Sequence, residues 1–449
     1  MLAAALALLL TTTAMGDPVP RDPGVRPGPA GAGKMLPRLT ENQRALFAAG
    51  LADFVEEDGI GSGLGPRFNH VSCVACHAQP AVGGTSPAVN PQVAVATAFS
   101  ARNVVPSFIR LDGPVREARF RYGADGSRDG GVYALFVISG RVDPTGDASD
   151  CDIQQDDFEA HVARNNVTFR IPTPVFGGGL IEQIPDGAIL ANRNADLTRK
   201  VWLGIAGRPH RILPSPSPNR NGNDGTIARF GWKAQNKSLL LFAGEAYNVE
   251  QGISNELFPT ERDESARCQY ASTPNDTTDT EGEGPEALSG IQKFAFFMRF
   301  LAAPVPSPDR PGGAASIERG QTLFATTGCA LCHTPTLRTG NATVAALRDR
   351  PVHLYSDLML HQMGPGLADD ILQGDARGDE FRTAPLWGLG QRIHFLHDGR
   401  TSNLLEAIVA HRSAGNAQFG PSEANGVIDR FRALTGAQKQ DLLNFLRSL

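Results

Sequence analysis

Cys73-Val-Ala-Cys76-His77 and Cys329-Ala-Leu-Cys332-His333 decide how the rest of this sequence is read. Each is a C-x-x-C-H pentapeptide, the attachment signature of c-type haem. Two thiols can add across the two vinyl groups of one porphyrin, and two intervening residues set them about one helical turn apart. The adjoining histidine then reaches the iron as an axial ligand. With 6 Cys and 10 His in 449 residues, composition alone would produce roughly 0.002 such pentapeptides. A shared zinc site needs its two Cys pairs close together, usually about 15–20 residues apart. Here they lie in opposite halves of the chain. A dithiol redox pair would leave the repeated histidine unexplained. Two covalently bound c-type haems are therefore expected, held by Cys73, Cys76 and Cys329, Cys332, with His77 and His333 on the irons.

Working outward, Leu2 to Leu10 is an uninterrupted apolar run followed by Ala14-Met15-Gly16. It resembles a secretory signal peptide over residues 1–16, although no Lys or Arg precedes it. It is too short to span a bilayer. A periplasmic location is expected, since this haem attachment occurs outside the bacterial cytoplasm; the alternative is an uncleaved N-terminal anchor. In an oxidising compartment the two remaining cysteines, Cys151 and Cys268, pair most simply with each other. A net charge of −5 gives no reason to expect a nucleic-acid partner. Gly (49) and Pro (32) are in excess, which points to long loops.

Residues 17–37 are Pro/Gly-rich without apolar periodicity and read as a linker. Thr40 is placed to cap a helix running through Phe54. Ser316 to Thr326 reads as a second such helix, and Ala45-Leu46-Phe47 and Thr322-Leu323-Phe324 look like counterparts ahead of the two haem segments. Apolar helices over Leu288–Leu301 and Thr435–Leu449 close each half. Between them Arg119–Tyr122, Val132–Ile138 and Val167–Ile171 alternate like strands, and Asn221–Gly225 and Asn275–Gly284 read as exposed loops. The expected fold is mainly α, with two cytochrome c-like haem domains. The first (38–306) is enlarged by a loop-rich insertion with some β-hairpins. The second is residues 307–449, and the Pro-rich run Pro304 to Pro311 marks the boundary.

Several segments carry a family resemblance. They are Gly65-Pro66-Arg67-Phe68-Asn69, Phe176-Gly177-Gly178-Gly179-Leu180-Ile181-Glu182, Arg229-Phe230-Gly231-Trp232-Lys233-Ala234-Gln235, Tyr355-Ser356-Asp357-Leu358 through Pro365, Phe381-Arg382-Thr383-Ala384-Pro385-Leu386-Trp387, and His397-Asp398-Gly399-Arg400. From about residue 40 to the C-terminus the chain resembles the di-haem oxidoreductases, also called thiol oxidoreductases. These are relatives of the bacterial di-haem cytochrome c peroxidases. The resemblance implies a reactive N-terminal haem at His77 and an electron-relaying C-terminal haem at His333. It implies a sixth ligand at His411, in Ala410-His411-Arg412, where the peroxidases usually carry Met; Met363 and His361 are the competing candidates. The Arg-Ser-Ala-Gly-Asn that follows His411 departs from the His-Gly-Gly-Glu-Ala usual in the family. The resemblance further suggests Glu182 as the group that moves a proton between the oxygens of bound peroxide. A carboxylate beside a porphyrin would have its pKa raised by desolvation. It also suggests a Ca²⁺ site built from Asn103, Thr383 and Pro385, weakly signalled by hard oxygen ligands.

His70 and His161 are resting-state ligand candidates for the first haem. Trp232 and Trp387 are candidates for electron hopping, with burial in the core as the simpler reading. Met359 and Met363 are spaced as on a helix. The expected function is a periplasmic di-haem peroxidase that reduces H2O2 with electrons from a small redox protein. The alternatives are haem-based oxidation of an organic or protein substrate, and a non-enzymatic electron carrier or sensor. EPR would separate these, since an open catalytic iron is high-spin. The thiol label finds no support in the residues, because all six cysteines have other assignments.

Overall fold

The computed structural model describes residues 17–211, 227–261 and 265–449. The expected leader at 1–16 and the expected loop at Asn221–Gly225 lie outside the described residues. Two crossed helix pairs dominate. The helix Glu41–Val55 packs on Gly290–Phe300, and Gly313–Thr327 packs on Gly436–Ser448. Thr40 closes a capping box with Gln43, and Thr435 does the same with Gln438, so both helices start where their orphan N–H groups are satisfied.

The two crossings share one device. A Cβ on Gly50 would lie 2.1 Å from the Lys293 carbonyl oxygen and 2.9 Å from Phe297 Cβ. A Cβ on Gly320 would lie 2.1 Å from the Asp441 carbonyl oxygen and 2.6 Å from Phe445 Cβ. Only glycine permits such contact between backbones. Four residues on, and so on the same helix face, stand Phe54 and Phe324. Phe54 lies 4.7 Å (ring centroids) from Phe297 and 6.0 Å from His77. Phe324 lies 5.5 Å from Phe445 and 6.4 Å from His333. The counterpart of Phe324 is therefore Phe54, not Phe47. The matching Leu-Phe dipeptides misled because the helix crossing, rather than local sequence identity, sets the correspondence.

The insertion holds a three-stranded antiparallel sheet, Arg128–Tyr133, Glu117–Tyr122 and Val167–Arg170 in that order. It is covered by an apolar cluster that includes Phe68, Phe120, Leu135, Phe136 and Phe158. A disulfide joins Cys151 to Cys268 in this cluster. Met359 and Met363 do not share a helix. Leu360–Gln362 is a strand paired with Glu380–Arg382, so the spacing of four was coincidental.

Residues 17–37 are not a free tether. Asp22 accepts two hydrogen bonds of 2.7 Å from the Arg447 guanidinium, which is 1 % exposed. Lys34 and Leu36 exchange backbone bonds with Ala302 and Phe300. The Pro/Gly composition prevents regular structure but not anchoring by side chains and isolated backbone groups. Among the described residues no helix is long and apolar enough to cross a membrane.

Candidate haem sites

The two C-x-x-C-H segments fold alike. Cys73–Cys76 is a single helical turn, and His77 N–H returns to the Cys73 carbonyl at 3.0 Å. Cys329–Leu331 is a 3-10 turn, and His333 N–H returns to Cys329 at 2.9 Å. Both cysteines of each pair thus face one side while the histidine turns beneath them. The four thiols are free. Burial pushes the Cys329 thiol up to about 12 and raises those of Cys73 and Cys76. Such thiols hold little thiolate near neutral pH, which disfavours thiol exchange.

The histidines are set up as ligands. His77 Nδ1 donates to the Gly84 carbonyl at 3.0 Å, and His333 Nδ1 to Tyr355 at 3.1 Å. Burial lowers both imidazole pKa values to about 4, so both are neutral. A ring fixed through Nδ1–H presents the Nε2 lone pair, the usual support for a metal-bound histidine. His411 is set up in the same way, with Nδ1 donating to Ala407 at 2.8 Å from the end of the Leu404–Val409 helix.

His333 and His411 face each other across one cavity, with ring centroids 6.5 Å apart. Two imidazoles on opposite sides of one metal, each about 2.0–2.1 Å from it, would have centroids about 6.3 Å apart. The walls between them are apolar, including Leu386, Phe395, Leu404, Ile408, Phe431 and Leu446. At the margin lie the buried Arg382 and Arg392, which form no ion pair among the described residues. Burial lowers both guanidinium pKa values to about 10. An apolar slot with cysteines at one edge, facing histidines and two unpaired buried cations fits a flat apolar macrocycle carrying carboxylates.

The competing ligands fare differently. Met363 lines the same cavity. His361 is held between Asp357 Oδ2 at 3.0 Å and Glu423 Oε2 at 2.8 Å, which leaves neither ring nitrogen free. Against desolvation, the neighbouring Cys332 and then Asp357 raise its pKa well above the ordinary value.

Beside Cys73 and Cys76 a second cavity carries more polar and charged groups than the first. Its lining includes His70, Gln92, Arg116, Arg119, Glu245 and Glu250. Glu250, near the C-terminal end of the Leu239–Gln251 helix, makes no side-chain hydrogen bond among the described residues. Desolvation, then Glu117 and Glu245, raise its pKa to about 8. Next to it, Gln251 accepts from Cys73 Sγ and donates to Asp58. Asp58 is itself raised to about 7 by burial and by Glu56. His70 lies nearby, half-buried, with Nδ1 unpartnered and a pKa lowered by desolvation to about 4.

Glu182 is not in this cavity, which corrects the sequence expectation. Its carboxylate accepts from Arg299 at 2.7 and 3.2 Å and from Leu239 N–H at 3.0 Å. The glycines before it explain this. A Cβ on Gly179 would lie 2.0 Å from the Arg299 carbonyl oxygen, so the run exists to press the Gly178–Glu182 helix onto Gly290–Phe300. Glu182 then completes a helix-to-helix ion pair with both oxygens occupied.

The Ca²⁺ grouping does not assemble either. Asn103 Nδ2 donates to the Ala96 and Val137 carbonyls, and its Oδ1 accepts from Val137 N–H. Thr383 is occupied elsewhere, its carbonyl accepting from Ser356 and Arg382. His161 stacks on Phe120 and hydrogen-bonds to Asn166, away from both cavities. Arg400 pairs with Asp398 in the turn that it follows, so it is not free for a haem carboxylate.

Trp232 lines both cavities and a smaller one between them, which it shares with Trp387, Arg382 and Arg392. Its indole donates to the Ile171 carbonyl at 2.9 Å, which fixes the ring at the wall between the two sites.

Comparison with known proteins agrees with this geometry. Residues 118–449 match the model of the family described as "Di-haem oxidoreductase, putative peroxidase". No curated protein matches the sequence. Three solved structures show distant similarity. Hydrazine synthase of Kuenenia stuttgartiensis is 14 % identical, over 63 % of this chain and 73 % of that one, with a TM-score of 0.30. A MauG-like protein associated with microbial copper homeostasis is 19 % identical, over 62 % and 90 %, at 0.31. A variant of the di-haem peroxidase BthA from Burkholderia thailandensis is 15 % identical, over 62 % and 86 %, at 0.29. Overlaps this loose carry no argument of their own.

Proposed function

Because the chain belongs to the di-haem oxidoreductase family, we propose that it is a periplasmic peroxidase that reduces H2O2 at its N-terminal site. In this reading Cys73, Cys76 and His77 hold one covalent c-type haem. Cys329, Cys332 and His333 hold the other, with His411 as its sixth ligand. When bound, the haems supply the redox chemistry: one carries electrons and the other reacts with peroxide.

The observation that carries the reading is the contrast between the two cavities. His333 and His411 stand on opposite sides of an apolar slot, so a haem held there by both would have no open position for a substrate, which suits electron transfer. His77 is fixed through Nδ1, and the two cysteines of its segment line a cavity that carries more polar groups than the slot at His333. That cavity offers an unengaged carboxyl, Glu250, whose pKa near 8 lets it both hold and release a proton close to neutral pH. In the proposed reaction Glu250 would move a proton from one peroxide oxygen to the other as the O–O bond breaks, and the donor's two electrons with two protons from solvent would complete the reduction to two waters. Arg116, Arg119 and His70 hold the peroxide and bound water in place. The apolar walls and Trp232 keep bulk water from the path between the sites. A small periplasmic redox protein supplies the electrons.

EPR and absorption spectra of the haem-loaded protein test this. One high-spin and one bis-histidine low-spin ferric signal, with peroxide turnover driven by an artificial donor, are expected. Two low-spin signals unchanged by reduction and peroxide would make the protein an electron carrier instead.

A further inference from the structure

We propose that the exposed face of the Leu197–Leu203 helix is the docking site for the electron donor, a small soluble redox protein with an apolar contact patch ringed by carboxylates. This rests on the peroxidase reading above and names the surface that its donor uses.

Three of the large apolar side chains that remain exposed fall on this one short helix: Leu197 at 55 %, Val201 at 67 % and Trp202 at 69 %. Exposed Trp is costly without a partner, and a cluster marks an interaction face better than scattered residues do. The next residue, Leu203, points the other way. It is buried against Leu331 and Val427, in a cluster that includes Cys329 and Cys332. A partner seated on Trp202 is thus one side chain removed from the attachment segment of the relay site.

The rim is basic. Arg430 lies over the Trp202 ring at 5.7 Å, and its NH2 donates to the Thr326 carbonyl at 2.9 Å. Arg199 on the same helix donates to the Ala325 and Thr326 carbonyls. Both guanidinium groups use neutral carbonyls rather than carboxylates, so their charge is uncompensated by ion pairing among the described residues. They also pin the helix to the end of Gly313–Thr327, just ahead of Cys329. An apolar centre with a basic rim, in a protein of net charge −5, selects an acid-rimmed partner and steers it to this one face. Cys329, Cys332 and His333 would hold the haem that accepts one electron per encounter, the donor being oxidised by one unit and that iron reduced from Fe(III) to Fe(II).

The test uses the haem-loaded full chain and an acid-rimmed blue-copper protein as probe. Calorimetry with the oxidised probe gives Kd, and stopped-flow reduction of the low-spin haem by the reduced probe gives the rate. Trp202→Ala is expected to weaken binding by about thirtyfold, as at a typical interface hot spot. Val201→Glu should do so comparably. Arg430→Glu should slow association and abolish the fall in rate with added salt. Reduction by dithionite, which needs no docking face, should be unchanged in all three. The proposal is overturned if wild type shows no saturable binding, or if Trp202→Ala binds as wild type does. It is equally overturned if that variant only converts a dimer to a monomer in sedimentation, which would make the patch a self-contact. Failure of the peroxidase reading looks different: wild type would bind the probe and accept its electrons yet leave H2O2 unreduced.

Discussion

Glu250, not Glu182, is assigned the proton-moving role, and paired Gln substitutions test this. Glu182 is 2 % exposed by side chain, and its partner Arg299 is 22 % exposed. Glu182→Gln removes the charge, turns one acceptor into a donor facing the guanidinium, and leaves one oxygen for Leu239 N–H. Breaking a fully buried pair costs about 3–5 kcal/mol. Arg299 is open enough to regain water, so about 2–3 kcal/mol is expected, close to a charge-assisted hydrogen bond. In a large domain this lowers Tm by about 4–8 °C. Peroxide turnover at 25 °C should stay within about twofold, because the carboxylate touches neither cavity. Glu250→Gln should do the opposite. It leaves Tm unchanged or higher, since it removes a desolvated acid, and it lowers kcat by about a hundredfold or more, the usual contribution of a positioned acid–base group. Circular dichroism melts and steady-state peroxide assays on the two proteins decide the matter. A Glu182→Gln protein with wild-type Tm and a collapsed kcat would refute the reasoning. So would a fully active Glu250→Gln protein.

Other consequences are as direct. His411→Ala should turn the low-spin bis-histidine EPR signal high-spin; an unchanged spectrum would favour Met363, which lines the same cavity. Replacing both Cys151 and Cys268 by Ser opens a bridge between residues 117 positions apart. It should cost about 4–5 kcal/mol in the chain-entropy model, read from the urea midpoint. Gly50→Ala and Gly320→Ala should each destabilise strongly, because a Cβ at either position would meet a backbone carbonyl at 2.1 Å; a wild-type melt for either would show that the helices separate easily. The pH dependence has two limbs. Asp369, held down to about 2 by Arg170 and Lys233 against burial, contributes stability that is present above the unfolded carboxyl pKa and lost as pH falls through about 2. Glu250 is raised from 4.5 to about 8, so the folded state holds the extra proton and stability falls as pH rises between those values. Denaturation midpoints from pH 2 to 9 for Asp369→Asn and Glu250→Gln should each lose one limb.

Local sequence carried the parts of this protein that local geometry makes. C-x-x-C-H fixes two thiols and a histidine on one turn, whatever surrounds them. Thr40 with Gln43, and Thr435 with Gln438, cap their helices through bonds between neighbours. The strand runs of the insertion were legible from alternation. His411 stood out only by resemblance, and its 6.5 Å approach to His333 depends on two segments about 80 residues apart meeting across one cavity. Glu250 had no motif around it and was missed. It matters only because the Leu239–Gln251 helix returns past Cys73, which Gln251 contacts. Glu182 was misread because a glycine run before a carboxylate looks like a site, whereas here it is a helix crossing.

By itself, then, the sequence marked a haem-attachment signature in each half of the chain, because that signature needs only five consecutive residues. Which site has a second histidine facing its C-x-x-C-H histidine was decided by tertiary structure alone. A histidine facing His333, an unengaged carboxyl near Cys73 and a leucine packed against the second cysteine pair are relations between distant segments. Only packing brings such segments to within a few ångströms of each other.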